Sequence, residues 1–417
     1  MTKPLIKLGT EFVYNPHPVY DELRKQGPIH HVLLPNGLTS WLVVDYQLAR
    51  AVLADDRIKK SAVALAPITT RLRPGDTYTT ISTDLWEHML SSDPPDHTRL
   101  RRLVAKGFTA RTVEQLHPRI DALADQLLDE MAGKPEVDLI DGYALPIPMT
   151  VICELFGVPE ADRARFRELS TTMTASSAEN AEDQAAVGDS PFYATAAERG
   201  AASIELATYL IGLVAQRSKD LGEDLLSQLI MANHEGDKLS DRELIAMLFL
   251  ILVAGHETTV NLIGNGLYAM LRDRVLYEEL THAPERIPAA IEEFLRHEGP
   301  VHLATLRYTA EPVTLAGIDI PAEELVSVSL AAADHDPGQF ADPHAIELGK
   351  TGQHKGGHLA FGHGIHYCVG APLARLEAKI AFEKILARYP NMKMADEVQW
   401  RPSTFLRGLQ TLPAVVD

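Results

Sequence analysis

The chain has 417 residues, 46% of them hydrophobic, and carries a formal net charge of −18 at pH 7. Such an acidic balance excludes a protein built to hold nucleic acid or an anionic membrane surface. Its two cysteines, Cys153 and Cys368, lie far apart, which excludes a disulfide framework and points to a reducing cytoplasm.

No proline-, serine- or glycine-rich linker, composition break or internal repeat divides the sequence. Residues 1–417 are therefore expected to form one large domain, although the length exceeds that of a usual single core. Its β-rich parts are expected mainly at 29–45, 304–330 and 400–415, the remainder being helical. Met1 to Leu23 is polar and proline-punctuated, without the apolar region of a signal peptide. The most apolar segment, Leu244 to Gly255, is about twelve residues long, short of the ~20 that span a bilayer. No membrane attachment is expected.

In chain order, Pro18 to Gln26 has the pattern of a short amphipathic helix. Ile29 to Leu34 and Trp41 to Val44 are β-rich and flank Pro35-Asn-Gly37, a hairpin signal. Residues 47–54 read as a helix. From Ser61 to Leu90 threonine and proline abound without a period, as in Pro67-Ile-Thr-Thr and Arg73-Pro-Gly-Asp76, which predicts a long irregular loop. Asp96 opens a helix through Arg99-Leu-Arg-Arg-Leu-Val-Ala-Lys106. Helices follow over Val113 to Met131, Pro148 to Phe156, Glu160 to Thr171, Glu198 to Lys219 and Glu223 to Asn233, with Cys153 reading as inert core. Ser176 to Pro191, acidic and rich in small residues, reads as a mobile connection. That stretch and residues 61–90 suit either an access gate or plain solvated loops.

Ser240-Asp-Arg-Glu243 is a capping box, with Leu239 and Leu244 placed as a hydrophobic staple. The helix it starts is predicted to run to about Leu271, about 48 Å at 1.5 Å per residue. Its first half is apolar on every face and therefore buried. Ala254-Gly-His-Glu-Thr-Thr259 then predicts a break midway, because glycine weakens a helix and a buried carboxylate needs partners. Two readings fit. The threonine bonds back to its own helix while Glu257 reaches a structural arginine, or Ala254 and Gly255 leave room over a flat cofactor beside a working acid–alcohol pair, Glu257 and Thr258.

Glu293 and Arg296 stand at i,i+3 on one predicted helix face, close enough to pair. Further on, Phe361-Gly-His-Gly-Ile-His-Tyr-Cys-Val-Gly370 surrounds one cysteine with glycines and leads into a helix. Glycines permit positive φ and close backbone approach. Loop amides and the helix N-terminus favour a thiolate at Cys368, which suits an axial ligand of haem iron. Two plainer readings remain: Cys368 as a small buried hydrophobe, or a zinc site drawn from His354, His358, His363, His366 and Cys368.

The cysteine string resembles, with no position missing, the Phe-x-x-Gly-x-x-x-Cys-x-Gly loop of the cytochromes P450, the haem-thiolate monooxygenases. Ala254-Gly-His-Glu-Thr258 is similar to that family's oxygen-binding groove, and Glu293-Phe-Leu-Arg296 holds the positions of its Glu-x-x-Arg pair, both in the family's order. The likeness runs from about Asn15 to Pro413, including Ser92-Asp-Pro-Pro-Asp-His-Thr-Arg-Leu-Arg101 and Arg407-Gly-Leu. The chain looks closest to soluble actinobacterial members that tailor macrolides, other polyketides or sterol-like molecules. One departure stands out. The family's Phe-Asp-x-x-Arg string is replaced by Asp342-Pro-His and then Ile346-Glu-Leu-Gly-Lys350, so Lys350 is the expected stand-in, as a point charge.

The resemblance implies a mainly α fold, a triangular helical prism with a small β-rich region. It implies haem b with Cys368 as the iron ligand, Phe361 and Gly362 in the loop beneath it, and Ala254 and Gly255 above it. His97, Arg101, Arg307 and His366 would hold the propionates, Thr258 would hydrogen-bond dioxygen, and Glu257 would relay protons. The buried Glu293–Arg296 pair would fix the segment leading to the cysteine.

Substrate contacts are expected from Ala62 to Arg71, Met173, Leu250, Ala254, Val301 to Thr305 (Leu303 included), Phe405 and Leu406, around a bulky lipophilic ligand. His302 and Thr305 suit either a substrate hydroxyl or a structural role. Arg101, Arg102, Lys106, Arg111, Lys355, Arg375 and Lys379 suggest a docking face for an acidic ferredoxin fed by a reductase and NAD(P)H, or else scattered solvated charges. A cytoplasmic monomer hydroxylating, or epoxidising, such a substrate is the expectation. A non-catalytic haem-binding gas sensor is the alternative.

Overall fold

The computed structural model describes residues 4–72, 85–177, 193–222, 224–232, 239–348 and 356–416. At its centre lies the helix Asp241–Arg272. Ser240 Oγ accepts from the Glu243 amide, and the Glu243 carboxylate accepts from the Ser240 amide, the capping box read from sequence. The predicted break is not there: the helix is continuous for 32 residues. Thr258 and Thr259 turn their hydroxyls back onto the carbonyls of Ala254 and Gly255, at 2.9 and 3.3 Å, and so join the helix rather than interrupt it.

By length and composition this helix could cross a membrane, which corrects the expectation drawn from its most apolar twelve residues. Its place in the fold gives the better account. It is packed among the helices Pro146–Leu155, Ala196–Arg217, Ile287–His297 and Ala371–Arg388, and 67% of its most apolar window is buried inside the protein. Gly266 permits the closest crossing, since a Cβ there would lie 2.5 Å from Phe382 Cζ and 2.9 Å from Phe294 Cδ2.

The other helices match the sequence reading with local corrections. Residues 113–131 form two helices, Ala110–Glu114 and His117–Met131, with Pro118 in the first turn of the second, where its missing N–H costs nothing. The predicted 61–90 loop begins as an eleven-residue helix, Ala62–Leu72. Pro67 inside it masked the pattern, yet Thr69 Oγ1 bonds back to Leu65 and Ala66 carbonyls and the helix persists. The rest of that stretch, residues 73–84, and most of the acidic connection, residues 178–192, lie outside the described residues.

Strands Ile6–Lys7, Ile29–Leu33, Thr39–Val43, Leu325–Val328, Arg307–Thr309 and Ile58–Lys59 form the main sheet in that spatial order. Ile29↔Val43 and Leu33↔Thr39 close the predicted hairpin, with Gly37 at φ 82° in its turn. Ile58↔Thr309 and Lys59↔Tyr308 pair antiparallel at the far edge, which fixes what stands beside Arg307. Residues 400–415 hold less strand than predicted: single pairings Trp400↔Leu409 and Leu406↔Val301, then Pro413–Val415.

Candidate functional site

The cysteine loop is built by its own backbone. Gly362 N donates to Leu359 O at 2.7 Å and Cys368 N to Phe361 O at 2.9 Å. Gly364 sits at φ 75°, and a Cβ there would lie 2.7 Å from Leu53 O, so glycine is required twice over. The Phe361 ring is covered by the Arg375 guanidinium at 4.5 Å. Arg375 in turn grips Glu292 with two bonds, 2.6 and 2.8 Å, and His358 Nε2 reaches the same carboxylate at 3.2 Å. Burial alone would raise the Glu292 carboxyl, but these two partners bring it down to about 2.

Cys368 is exposed by surface area yet lies deep in protein, so its accessible face looks into the interior of the fold. Burial pushes its thiol upward, against the amides of Gly370 and Ala371 and the nearby Arg101 that pull it down. Loop and helix amides thus pull toward the thiolate, as read from the sequence, while burial opposes them, and a metal cation bound there would favour it further.

The zinc reading finds no support among the described residues, where the converging donor groups are His17, Glu298 and His302, outside the loop. Glu298 there is already paired with Arg407 Nε at 2.9 Å. His354 lies outside the described residues.

Facing the interior from the central helix, Ala254 is exposed and Thr258 partly so, in a helix otherwise mostly buried. Glu257 is 4% exposed. Its Oε1 accepts from Thr174 Oγ1 at 2.9 Å and pairs with Arg401 at 3.4 Å, while its Oε2 has no partner. The back-bonded threonine and arginine-held glutamate of the plainer reading are thus present, together with one carboxylate oxygen left over. Thr174 and Arg401 carried no signal in the sequence. Gly255 does not leave room over a cofactor: a Cβ there would lie 3.0 Å from Ile152 Cδ1, so its small size serves helix packing.

The four predicted propionate residues come together from three segments. His97 and Arg101 lie on Asp96–Ala105, Arg307 on the strand next to the edge strand Ile58–Lys59, and His366 lies tilted against His97 with ring centroids 4.3 Å apart. Arg101 donates to Tyr367 O at 2.6 Å and Arg307 to Thr305 O at 2.7 Å, and neither reaches a carboxylate. Burial pushes Arg307 down to about 10. Burial and the neighbours Lys60, His97, Arg307 and Arg101 push His366 down to about 2. Lys60 Nζ, on a residue the sequence reading passed over, is buried without a partner, and the buried His97 ring has the Ile365 backbone in reach. Arg101, Arg307 and Lys60 thus crowd one place with Asp93 as their carboxylate neighbour, which suits an anionic ligand. His88, buried against Phe249 with both ring nitrogens unpartnered, was also missed.

Glu293 and Arg296 form a buried pair, with Arg296 Nη2 2.6 Å from Glu293 Oε1. Lys350 lies outside the described residues. The backbone completes the network instead: Arg296 donates to the carbonyls of Asp334, Pro343 and Ala345 at 3.1, 2.8 and 2.7 Å, and Glu347 N donates to Glu293 at 3.0 Å.

The substrate candidates divide. Leu250 lies one turn before Ala254, and Met173 neighbours Thr174. Val301 pairs with Leu406, and His302 N bonds Phe405 O at 2.9 Å, which brings Val301, Phe405 and Leu406 together; Thr305 is partly exposed nearby in sequence. Leu303 packs instead with Phe12, Tyr20 and Val32 in the N-terminal core. His302 is structural, beside Glu298 and His17. Arg71 pairs with Glu323 at 2.9 Å on the surface. The basic face shrinks too. Arg101 and Arg375 are committed inward, Lys379 pairs with Glu383 at 3.0 Å, and Lys355 lies outside the described residues. Arg102, Lys106 and Arg111 are exposed.

The model of the family described as "Cytochrome P450" matches residues 4–413. Cytochrome P450 monooxygenase PikC of Streptomyces venezuelae is 44% identical over 412 residues, 97% of this chain and 92% of that protein. The 6-deoxyerythronolide B hydroxylase of Saccharopolyspora erythraea is 37% identical, covering 95% of each chain. Among solved structures, the tirandamycin C-bound P450 monooxygenase TamI superposes with a TM-score of 0.88 at 38% identity, over 99% of this chain and all of that one.

Proposed function

This chain belongs to the cytochrome P450 family, and we propose that it hydroxylates a bulky lipophilic natural product of the macrolide, polyketide or sterol-like kind. As a member it is a haem-thiolate monooxygenase, closely related to enzymes that hydroxylate polyketides and macrolides. Its residues fit the haem. Lys60 Nζ is buried without a partner in range of His97, His366 and Arg307, and Cys368 keeps accessible surface. The haem supplies the iron chemistry that inserts one atom of O2 into a C–H bond.

In this reading Cys368 would hold the haem iron, steadied by the amides of Gly370 and Ala371. Its loop is closed through Phe361 and Gly362. His97, Arg101, Arg307 and His366 hold the propionates. Ala254, exposed on the central helix, would leave space for the group. Glu257 would take protons at its free Oε2 and pass them to the Thr258 hydroxyl once that hydroxyl gives up the Ala254 carbonyl. The Glu293–Arg296 network holds the approach to the cysteine. Leu250, Met173, Val301, Thr305, Phe405 and Leu406 contact the substrate. A ferredoxin docks at Arg102, Lys106 and Arg111 and delivers electrons from NAD(P)H through its reductase, to a monomer in the cytoplasm.

The observation that carries this reading is the free Glu257 oxygen one residue from Thr258, on a helix whose Ala254 faces the interior. A gas sensor would have no use for that pair. A lipophilic library screened for spin-state shifts, then turned over with NAD(P)H, ferredoxin and reductase, tests it. A bound compound should return with one added oxygen. Turnover that reduces O2 without oxygenating any bound compound would overturn it.

A further inference from the structure

We propose that Lys60 is a third full cation on the haem propionates, completing with Arg101 and Arg307 a clamp whose charge closes only when haem is bound; this rests on the P450 reading above. Three segments aim at one place. The antiparallel pairs Ile58↔Thr309 and Lys59↔Tyr308 carry Lys60 to the level of Arg307. The Lys60 amide is held by the Asp93 carboxylate at 3.1 and 3.2 Å, and Asp93 precedes the helix Asp96–Ala105 that bears His97 and Arg101. The strand edge and that helix are thereby tied by one carboxylate.

Lys60 is 2% exposed and its Nζ has no partner. Most buried lysines are paired or send the ammonium out to water along the flexible stem. This one does neither. Burial first, and Arg307 next, disfavour its ammonium against the pull of Asp93, and His366 is in range of Lys60, Arg101, Arg307 and His97 together. Asp93 is the carboxylate acting on both Lys60 and Arg307. Three cations less one carboxylate leave a surplus of two. The two propionates of haem match that surplus. Without Lys60 the surplus falls to one against two propionates, and the balance rests on histidine N–H donors, which are weaker than a charged donor.

Lys60→Met removes the charge and keeps the apolar stem, and Lys60→Arg keeps the charge. The holoenzyme is mixed with excess apomyoglobin, and the rate of haem transfer and the iron midpoint potential are measured. Lys60→Met should release haem about tenfold faster or more, the worth of one charge-assisted hydrogen bond. Its potential should shift negative, because a cation that favoured the added electron is gone, while the thiolate-type band of the reduced CO complex stays. Lys60→Arg should recover most of both. A Lys60→Met protein with wild-type haem release and potential overturns the proposal and leaves the P450 reading intact. A wild-type protein lacking the thiolate-type band overturns that reading and this proposal with it.

Discussion

Glu257 shows how a single side chain can be both fixed and available. Thr174 and Arg401 hold one of its oxygens, and the other is buried with nothing to bond. A carboxylate so placed keeps its position while a proton comes and goes. Thr258 spends its hydroxyl on the Ala254 carbonyl, a weak intrahelical bond that it can give up. Thr258→Ala should therefore bind substrate as before but divert most reducing equivalents to hydrogen peroxide, read as the ratio of NAD(P)H consumed to product formed. Unchanged coupling would remove Thr258 from the relay. Glu257→Gln should lower kcat by about 10²-fold, the lower end of general acid–base effects, with substrate affinity retained. At this scale the sequence showed the residues with polar groups in odd places and hid those with ordinary ones. Gly-His-Glu-Thr in an apolar helix was legible, whereas Lys60 in Arg57-Ile-Lys-Lys60 looked like any surface lysine. Gly255 was misread because a missing side chain does not say which neighbour needs the space.

The segment between the Glu293 helix and the cysteine loop is held by a buried arginine that satisfies one carboxylate and three carbonyls. Removing either charge leaves the other buried and unpaired, which costs about 3–5 kcal/mol. Glu293→Gln should lower the melting temperature accordingly and loosen haem retention, whereas a surface pair such as Arg71–Glu323, similarly disrupted, should shift it little. Equal effects from the two would contradict the structural role. The backbone carbonyls explain how the chain manages without the family's second arginine, and motif reading could not see them because carbonyls carry no residue identity. Capping residues and period made most helices legible, the box at Ser240 above all. Ala62–Leu72 was hidden by Pro67. The short strands at Ile58–Lys59 and Glu136–Asp138 had too few residues to show alternation.

Across the whole molecule, buried histidines set the acid limit of stability. Burial lowers His302 to about 4 and His88 to about 3, from an ordinary 6.5. Each is stabilising in its neutral form above 6.5, and that contribution is lost as pH falls, because the unfolded chain takes up the proton first. Asp334 works the other way, since burial raises it to about 7 and the folded state then holds a proton that the unfolded chain releases. Each lowered histidine loses about 1.4 kcal/mol per pH unit below about 6.5, Asp334 and the raised Glu377 offset part of this, and His256, His335 and His366, also lowered by burial, leave the balance a loss. At lower pH Glu292, lowered to about 2 from 4.5, adds its own loss. Melting temperatures of the holoenzyme should fall steadily from pH 6.5 to 4.5. A flat profile would show that these histidines are protonated in the folded protein.

The overall class was legible because three motifs with unusual residue combinations occur in one order, and a mostly helical chain with an apolar central helix accommodates them. The surface was not, since charge counting cannot tell an outward lysine from one paired inward, and of the six described residues of the basic face three are exposed. The central claim concerns one sulfur, and the absorption spectrum of the reduced, CO-bound protein tests it most directly. The wild type should give the red-shifted Soret band of a thiolate ligand, and Cys368→His should lose that band while still holding haem. An imidazole-type band in the wild type, or a thiolate-type band that survives Cys368→His, would contradict it.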